Sequence, residues 1–557
     1  MSILAPIANA VWLTSQAYEY QHFLRDSANP RAIQNALLKK YVSKNASTDF
    51  GLRYEFSKIH SAKEYAQAIP LQDGSTLEHW VLKTAGCNSE NSANSESDSA
   101  STSRSLINNI LCANPITRLE PTSGSTSSAK LIPITSDLRR EVNRAVCTWM
   151  CSLFREHPRA FWGTAYWSIS PPMISPYVLP GSRIPIRHAR DSEYLNPFSA
   201  WLFRQVMSVP ESITGIVDSE LFYQKTLSTL LSDSRLSLVS VWSPTFLLQL
   251  DERIRNSPES TLRYVADSGM ATSQRVRVLE KCLRPGFTWK DIWPNLAVVS
   301  CWTHAQSTLW IARVREVLGE VPIHAKGLMA TEGVTSIPVL PELDPCLAFR
   351  SHYYEFLPDG GDIALQTHEV DLGNDYEVIL TTGGGLYRYR TGDMVRVTGF
   401  FKATPCLQFL GRRGRVSDLV GEKISEVHAN QALAKISDSV FVVRGAFLYP
   451  ELSQGQARYT LYLELGIPNV QITDSAKESF SIKVARIFEA SLNENPYYYQ
   501  AQTLGQLGSL RVKFLDPGTA LRLSTFMAMT RGAREGTCKV PVLFRAGELA
   551  DFLKSEP

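Results

Sequence analysis

The chain has 557 residues, of which 44% are hydrophobic and 20% charged. That is the make-up of a soluble globular protein too long for one core, so two to four domains are expected. Its 57 basic and 54 acidic residues leave a net charge of +3, too balanced to suggest nucleic acid or a membrane surface as a partner, though compatible with an anionic small molecule in a local basic pocket.

Residues Met1 to Leu13 are apolar, and the first basic residue is Arg25. A signal peptide needs a positive n-region and a cleavage site, so an amphipathic or packing helix is expected instead. Apolar residues at Ile33, Ala36, Leu37 and Tyr41 predict a helix over Arg31 to Val42. Residues 84–106, rich in Ser, Asn and Glu, have too little apolar surface to offset their ordering entropy and read as a disordered insertion.

The stretch Pro121 to Lys130 (P-T-S-G-S-T-S-S-A-K) collects hydroxyls, one glycine and one lysine in a single loop. A phosphate group suits such a surface: exposed backbone N–H groups, hydroxyl donors and a positive charge. The spacing is not that of a Walker A motif, and a Ser/Thr-rich surface turn is the plainer alternative. Leu131 to Thr135 reads as a strand end. Ser136 then reads as the cap of a helix whose inner face is Leu138, Val142, Ala145, Trp149 and Leu153. On that helix Cys147 and Cys151 lie four apart without an accompanying histidine, which favours core thiols over a metal site. The nine cysteines show no C-x-x-C pairing and fit a reducing compartment, so a cytoplasmic protein is expected.

Leu236 to Trp242 and Ala297 to Trp302 are β-rich runs, each followed by a helical segment, which argues for an α/β sheet. Glu377 to Thr382, Met394 to Thr398 and Cys406 to Leu410 read as strands, the first two flanking a turn at Gly383-Gly384-Gly385. After Gly411 a small α+β unit begins. Tyr459, Leu461, Leu463 and Leu465 alternate at period two, a helix runs from about Asp474 to Leu492, and Leu510 to Leu515 is strand-like. The expected organisation is therefore a large α/β N-terminal domain over 1–410, with β-sheets and flanking helices, and a small α+β C-terminal domain over 411–557. A hinge at 411–421 joins them.

Four further segments stand out. Lys326 to Gly333 reads as a short strand ending in Thr331-Glu332. Tyr387 to Asp393 follows the glycine turn. Gly411-Arg412 is trailed by Gly421-Glu422-Lys423, and Gly536-Thr537-Cys538-Lys539 lies near the C-terminus. Together with the hydroxyl loop, and in this order, these segments resemble the motifs of the adenylate-forming enzymes. The closer resemblance is to the acyl acid amido synthetases first described as auxin-responsive promoter proteins, and among them to bacterial-type members. It is carried by Glu120 to Thr126, Lys326-Gly327-Leu328 through Glu332-Gly333, Thr381 to Arg390, Val416 to Lys423, Ser240 to Pro244 and Asn495 to Tyr498.

The resemblance implies a two-step reaction. ATP and a carboxylic acid give an acyl-adenylate, which an amine, usually that of an amino acid, then attacks. It also implies roles. Ser123, Gly124, Ser125, Thr126, Ser127 and Lys130 would cradle the β and γ phosphates, and Thr331 would border the nucleotide. Glu332 would hold Mg²⁺. Asp393 would accept both ribose hydroxyls, Arg412 would touch ribose or phosphate, and Lys539 would reach the α-phosphate and acyl oxygen. Each of these residues also has an ordinary reading: a solvated carboxylate, a turn aspartate, a basic run, a surface lysine. Two departures from the family pattern are visible. Ser127-Ser128 stands where a second glycine is usual, and Leu328 replaces the aromatic that often precedes T-E.

By analogy the acyl pocket lies among Ala165 to Ser168, Trp242 to Leu247 and Cys301 to His304. Trp167, Trp242, Phe246 and Trp302 there suit an aromatic or bulky apolar acid, or are core strand ends. His304 would polarise a carboxylate or deprotonate the amine, or is a structural histidine. A monomer is expected, with ATP and Mg²⁺ as cofactors and no nucleic acid or membrane as partner. The rival readings are an acyl-CoA ligase and a nucleotide- or acid-binding protein that has lost catalysis.

Overall fold

The computed structural model describes residues 4–85, 110–122, 130–167, 176–187, 191–195, 197–216, 218–436, 441–453, 456–466, 474–531 and 538–555. The predicted phosphate-cradle residues Ser123, Gly124, Ser125, Thr126 and Ser127 lie outside them. So does most of the predicted disordered insertion, whose first residue, Thr84, instead closes the helix Gly74–Thr84.

A four-stranded parallel sheet is built from Thr164–Trp167, Leu236–Ser240, Val298–Cys301 and Ile323–Ala325, in that spatial order. Its first three strands are buried at every position, because both faces are covered. The helices Ser219–Ser232, Pro244–Asn256 and Thr308–Leu318 contribute Phe222, Leu230, Phe246, Leu250, Val314 and Leu318 to one continuous core. The predicted strand–helix alternation is this layer. Trp167, Trp242, Trp302 and Lys326 all fall at or just past the carboxyl ends of its strands. That is the edge where open α/β sheets bind ligands.

The second layer is a seven-stranded sheet, in the order Ser336–Ile337, Cys346–Leu347, Thr404–Arg412, Tyr389–Phe401, Asp375–Thr381, Tyr353–Pro358 and Leu365–Gln366. Every pairing in it is antiparallel. Tyr389–Phe401 is longer than the predicted strand Met394 to Thr398. Its polar opening (Arg390, Thr391, Gly392, Asp393) breaks the apolar pattern, yet it pairs on both sides with Asp375–Thr381 and Thr404–Arg412. Tertiary pairing outweighs local propensity there.

The segment before Glu332 also differs from expectation. It is a tight hairpin, with Met329–Ala330 paired to Gly333–Val334 and Thr331-Glu332 as the turn. Gly333 is required at its base, because a Cβ there would lie 2.8 Å from His352 Nε2.

The helix Ser136–Glu156 begins one residue earlier than expected, capped by Thr135, whose Oγ1 accepts from Leu138 N at 3.2 Å. The same hydroxyl donates to Gly383 O at 2.8 Å, which fastens the strand after the hydroxyl loop to the glycine turn. The predicted inner face is buried at Leu138, Ala145, Trp149 and Leu153, as are Cys147 and Cys151. The N-terminal helix Leu4–Asp26 packs on this helix through Ala5, Ala8, Trp12 and Phe23.

The C-terminal unit has a three-stranded sheet of Val442–Ser453, Gln456–Gly466 and Arg511–Leu515. The period-two residues Tyr459, Leu461 and Leu463 pack on Phe480, Val484, Phe488 and Leu492 of the helix Asp474–Leu492.

One buried ion pair ties the N-terminal helices to the seven-stranded sheet. Arg388, with a left-handed φ of 47°, donates from Nε to both Glu355 oxygens at 3.1 and 3.0 Å and from Nη1 to Ala66 O and Ile69 O at 2.8 and 2.7 Å. Burial pushes the Glu355 carboxyl up, and Arg388 pulls it back down. Glu355→Ala leaves a guanidinium buried without its counter-charge. Loss of about 3–5 kcal/mol of unfolding free energy is expected, measured by denaturant titration.

Candidate active site

The antiparallel register sets Asp393 directly opposite Arg412. Arg412 Nε donates to Asp393 Oδ1 at 3.1 Å. Asp393 is 2% exposed, and its carboxylate, followed by that of Glu332, raises the Arg412 pKa. The hairpin turn brings in Glu332 at 5% exposure. Loss of water raises its carboxyl, Arg412 and Lys130 oppose that, and Asp393 adds to it. Lys130 approaches from the strand after the hydroxyl loop, its Nζ 5.9 Å from the Tyr389 ring centroid. The Tyr389 hydroxyl is itself pushed well up by burial and by Glu332.

Lys539 completes the cluster from the C-terminal unit. Its Nζ lies 4.7 Å from the ring centroids of both Trp302 and Phe409, so it joins the end of the parallel sheet to the second sheet. Burial lowers its pKa, while Asp393, Glu332 and Glu426 raise it and Arg412 lowers it further. The backbone around it is pinned. Lys539 O accepts from Arg531 Nη1 at 3.3 Å, Val542 N donates to Glu426 Oε1 at 3.0 Å, and Leu543 O accepts from Arg415 Nε at 2.5 Å. Lys130, Glu332, Asp393, Arg412 and Lys539, drawn from separate parts of the sequence, therefore share one electrostatic environment.

Two buried carboxylate contacts fix this frame. Glu141 Oε2 accepts from Gly383 N at 3.0 Å and is 3.0 Å from His352 Nδ1. His352 Nε2 in turn accepts from Val334 N at 3.1 Å. The helix after the hydroxyl loop, the glycine turn and the hairpin that carries Glu332 are thus linked through one carboxylate.

The neighbouring cavity measures about 20 Å³ and is lined among others by Trp302, His304, Lys326, Phe409 and Lys539. Of the predicted pocket residues, Trp302 and His304 are in this wall. Trp242 stands behind Trp302 at 5.8 Å between ring centroids. Trp167 packs on Trp149 at 5.8 Å and on Phe203 at 5.3 Å. Phe246 is fully buried in the core beneath the parallel sheet, 6.1 Å from Tyr223, and is not among the residues lining the cavity beside Lys539. His304 Nε2 is 3.3 Å from Asp344 Oδ1 and holds that carboxyl below its usual range. The structural reading of this histidine fits that pairing.

Sequence reasoning missed Phe409, Glu426 and Tyr389 as members of the site. Phe409 and Tyr389 sit on strands whose apolar positions look like core, and Glu426 looks like an ordinary first-turn glutamate.

The architecture is that of a solved acyl acid amido synthetase, AtGH3.15 in complex with 2,4-DB. The structural match has a TM-score of 0.81 over 98% of this chain and 96% of that one, at 17% identity, and it shows a shared fold. The chain belongs to the GH3 family: the family's N-terminal domain matches residues 19–97 and 102–323, its central domain 346–412 and its C-terminal domain 427–548. Among curated relatives, a probable indole-3-acetic acid-amido synthetase GH3.9 of Oryza sativa subsp. japonica is 27% identical over 287 residues, 47% of this chain and 63% of that protein. That match thus spans less than two thirds of the rice protein. The jasmonoyl–L-amino acid synthetase JAR6 of Nicotiana attenuata is 21% identical over 556 residues, 90% of this chain and 88% of that protein.

The Asp393–Arg412 geometry generates a direct expectation. Asp393→Asn removes the charge that holds Arg412 and, on the implied role, the acceptor for ribose hydroxyls. ATP affinity is expected to fall about tenfold or more in calorimetric titration, and the unfolding midpoint is expected to fall as well, because Arg412 loses its counter-charge.

Proposed function

We propose that this protein is an ATP-dependent ligase that adenylates a carboxylic acid and transfers the acyl group to an amine, that of an amino acid. The observation that carries the reading is the convergence of Lys130, Glu332, Asp393, Arg412 and Lys539 in one shared field. The names of the relatives and of the solved neighbour support the reaction class.

In the first step a carboxylate oxygen attacks the α-phosphorus of ATP, and pyrophosphate leaves. In the second, the amine nitrogen attacks the acyl carbon. The bond from that carbon to the AMP oxygen breaks, the nitrogen loses a proton, and AMP departs. A free carboxylate is a poor electrophile, and adenylation supplies the leaving group. Lys539 offsets the negative charge that grows at the α-phosphate and acyl oxygen. Asp393 orients the ribose, with Arg412 holding the carboxylate in place. Lys130 meets the phosphates beside the hydroxyl loop.

Glu332 fits a hard divalent cation: it is a buried oxygen donor whose charge costs desolvation that Arg412 and Lys130 only partly offset. Mg²⁺ bound there would neutralise phosphate charge and favour departure of pyrophosphate. The small unit joined at 411–421 is read as the mobile part that delivers Lys539.

The acid is read as aromatic or otherwise bulky and apolar, which suits Trp302, Phe409 and Leu328. The protein is read as a monomer. Among the described residues the cysteines are free and no helix is long and apolar enough to cross a membrane, which supports a cytoplasmic setting.

The acyl-CoA reading is tested by pyrophosphate release from a panel of acids, first without and then with amino acids or CoA. Turnover stimulated by amino acids and not by CoA is expected. CoA-dependent turnover alone would reverse the assignment. Absence of any ATP–pyrophosphate exchange would favour a binding protein. Glu332→Ala is expected to abolish exchange with the fold intact by circular dichroism, and wild-type exchange would remove Glu332 from the site.

The alkaline limb of the pH profile of adenylation follows from the Lys539 shift. Lys539 is lowered, so it loses its charge, and the rate falls, at a lower pH than an ordinary lysine would impose. In Lys539→Arg that limb is expected to move out of range.

A further inference from the structure

Cys346 and Cys406 stand directly opposite each other in the seven-stranded sheet, on Cys346–Leu347 and Thr404–Arg412. Leu407 N donates to Pro345 O at 2.9 Å. By that register the two cysteines form the kind of antiparallel pair that exchanges no backbone hydrogen bonds of its own. In such pairs the Cα atoms lie about 4.5 Å apart and the side chains converge. A disulfide spans Cα atoms about 4.4–6.8 Å apart. The two Sγ atoms are already 3.4 Å apart, so a bond of about 2.0 Å requires them to close by only about 1.4 Å.

Both thiols are free, at 0% and 1% exposure. The plain reading is two small apolar side chains filling a core. The sulfurs, however, also meet each other. Their shared S–H···S contact, and then burial, push the Cys346 thiol up, and the same contact lowers that of Cys406. Cys346 is thus the proton donor of the pair and Cys406 the better nucleophile.

The pair is also close to the surface along the chain. Lys402 and Ala403, in the turn before Cys406, are exposed, as are Pro341 and Glu342 before Cys346. Cys346–Leu347 is a strand of two residues, held by one register pair to Thr404–Arg412 and two to Ser336–Ile337. Few hydrogen bonds need break for a local opening to admit a small oxidant.

We propose that Cys346 and Cys406 are a modification site, a reversible redox pair that a small peroxide converts to a cross-strand disulfide. Cys406 Sγ attacks one peroxide oxygen and the O–O bond breaks. The thiol proton goes to the departing oxygen, so water leaves and Cys406 becomes a sulfenic acid. Cys346 Sγ then attacks that sulfur, the S–O bond breaks, and the hydroxyl leaves as a second water with the Cys346 proton. The two thiols lose two electrons and hydrogen peroxide gains them. A small thiol reverses the link by exchange. The closed loop, 346 to 406, contains the three strands Tyr353–Pro358, Asp375–Thr381 and Tyr389–Phe401, so the link restricts the unfolded chain. The inference holds whichever reaction the site performs.

The test uses the full-length protein, first reduced with dithiothreitol and freed of it. Graded hydrogen peroxide is added under native conditions and in urea, remaining thiols are blocked with N-ethylmaleimide, and unreduced digests are analysed by mass spectrometry. A Cys346–Cys406 linked peptide is expected from the native sample, and dithiothreitol should abolish it. The unfolding midpoint of the oxidised protein is expected to rise by about 3 °C or more and to return on reduction. Cys346→Ala and Cys406→Ala should each lose both the link and the rise. Thiols that stay free under native conditions, a link found only in urea, or sulfinic acid at either cysteine without a link would each overturn the proposal, and these readouts need no variant to fold. A midpoint that stays or falls on oxidation, or a rise that persists in the alanine variants, would also overturn it.

Discussion

The site depends on burying charge at the junction of two sheets and the C-terminal unit. Lys130, Arg412 and Lys539 are set against Glu332, Asp393 and Glu426. A lone ion in such a place would cost many kcal/mol, and together these groups offset one another. Arg412 is raised by Asp393, Glu332 is partly restored by Arg412, and Lys539 is partly restored by three carboxylates. Because a balanced cluster is upset by any added charge, the arrival of a polyphosphate or the departure of pyrophosphate changes which partner each group holds.

That constraint explains why the scaffold around the cluster is so rigid. Asp393 and Arg412 sit opposite one another on long antiparallel strands. Glu332 sits on a two-residue turn anchored through His352 to Glu141. Lys539 and Glu426 come from the C-terminal unit, and the two aromatic supports of Lys539, Trp302 and Phe409, come from the other two layers. Withdrawing that unit would remove one cation and one carboxylate together.

The motifs were legible in the sequence because chemistry restricts them. Thr331-Glu332, the run from Tyr387 to Asp393, Gly411-Arg412 and Lys539 stand in order, and the fold brings them together. The parallel sheet was legible because strands buried on both faces read as apolar runs followed by helices. The seven-stranded sheet was only partly so. Arg390 to Asp393 is polar because it belongs to the site, and polarity hides a strand. Phe246 shows the opposite ambiguity: an aromatic near the start of a helix covering the sheet looks the same in sequence whether it faces a cavity or a core, and here it is buried in the core. Lys326 carried a family motif in the sequence, but nothing in its neighbours along the chain shows that Trp149 and Trp242 flank it.

The central claim is that Lys539 serves the charge build-up of adenylation and not the transfer that follows. The most direct measurement separates the two half-reactions in Lys539→Ala, with pyrophosphate exchange for the first and turnover of a supplied acyl-adenylate with amino acid for the second. The account predicts a fall of about a hundredfold or more in exchange, with transfer close to that of the wild type. An equal fall in both would contradict it, and would make Lys539 either structural or a participant in both steps.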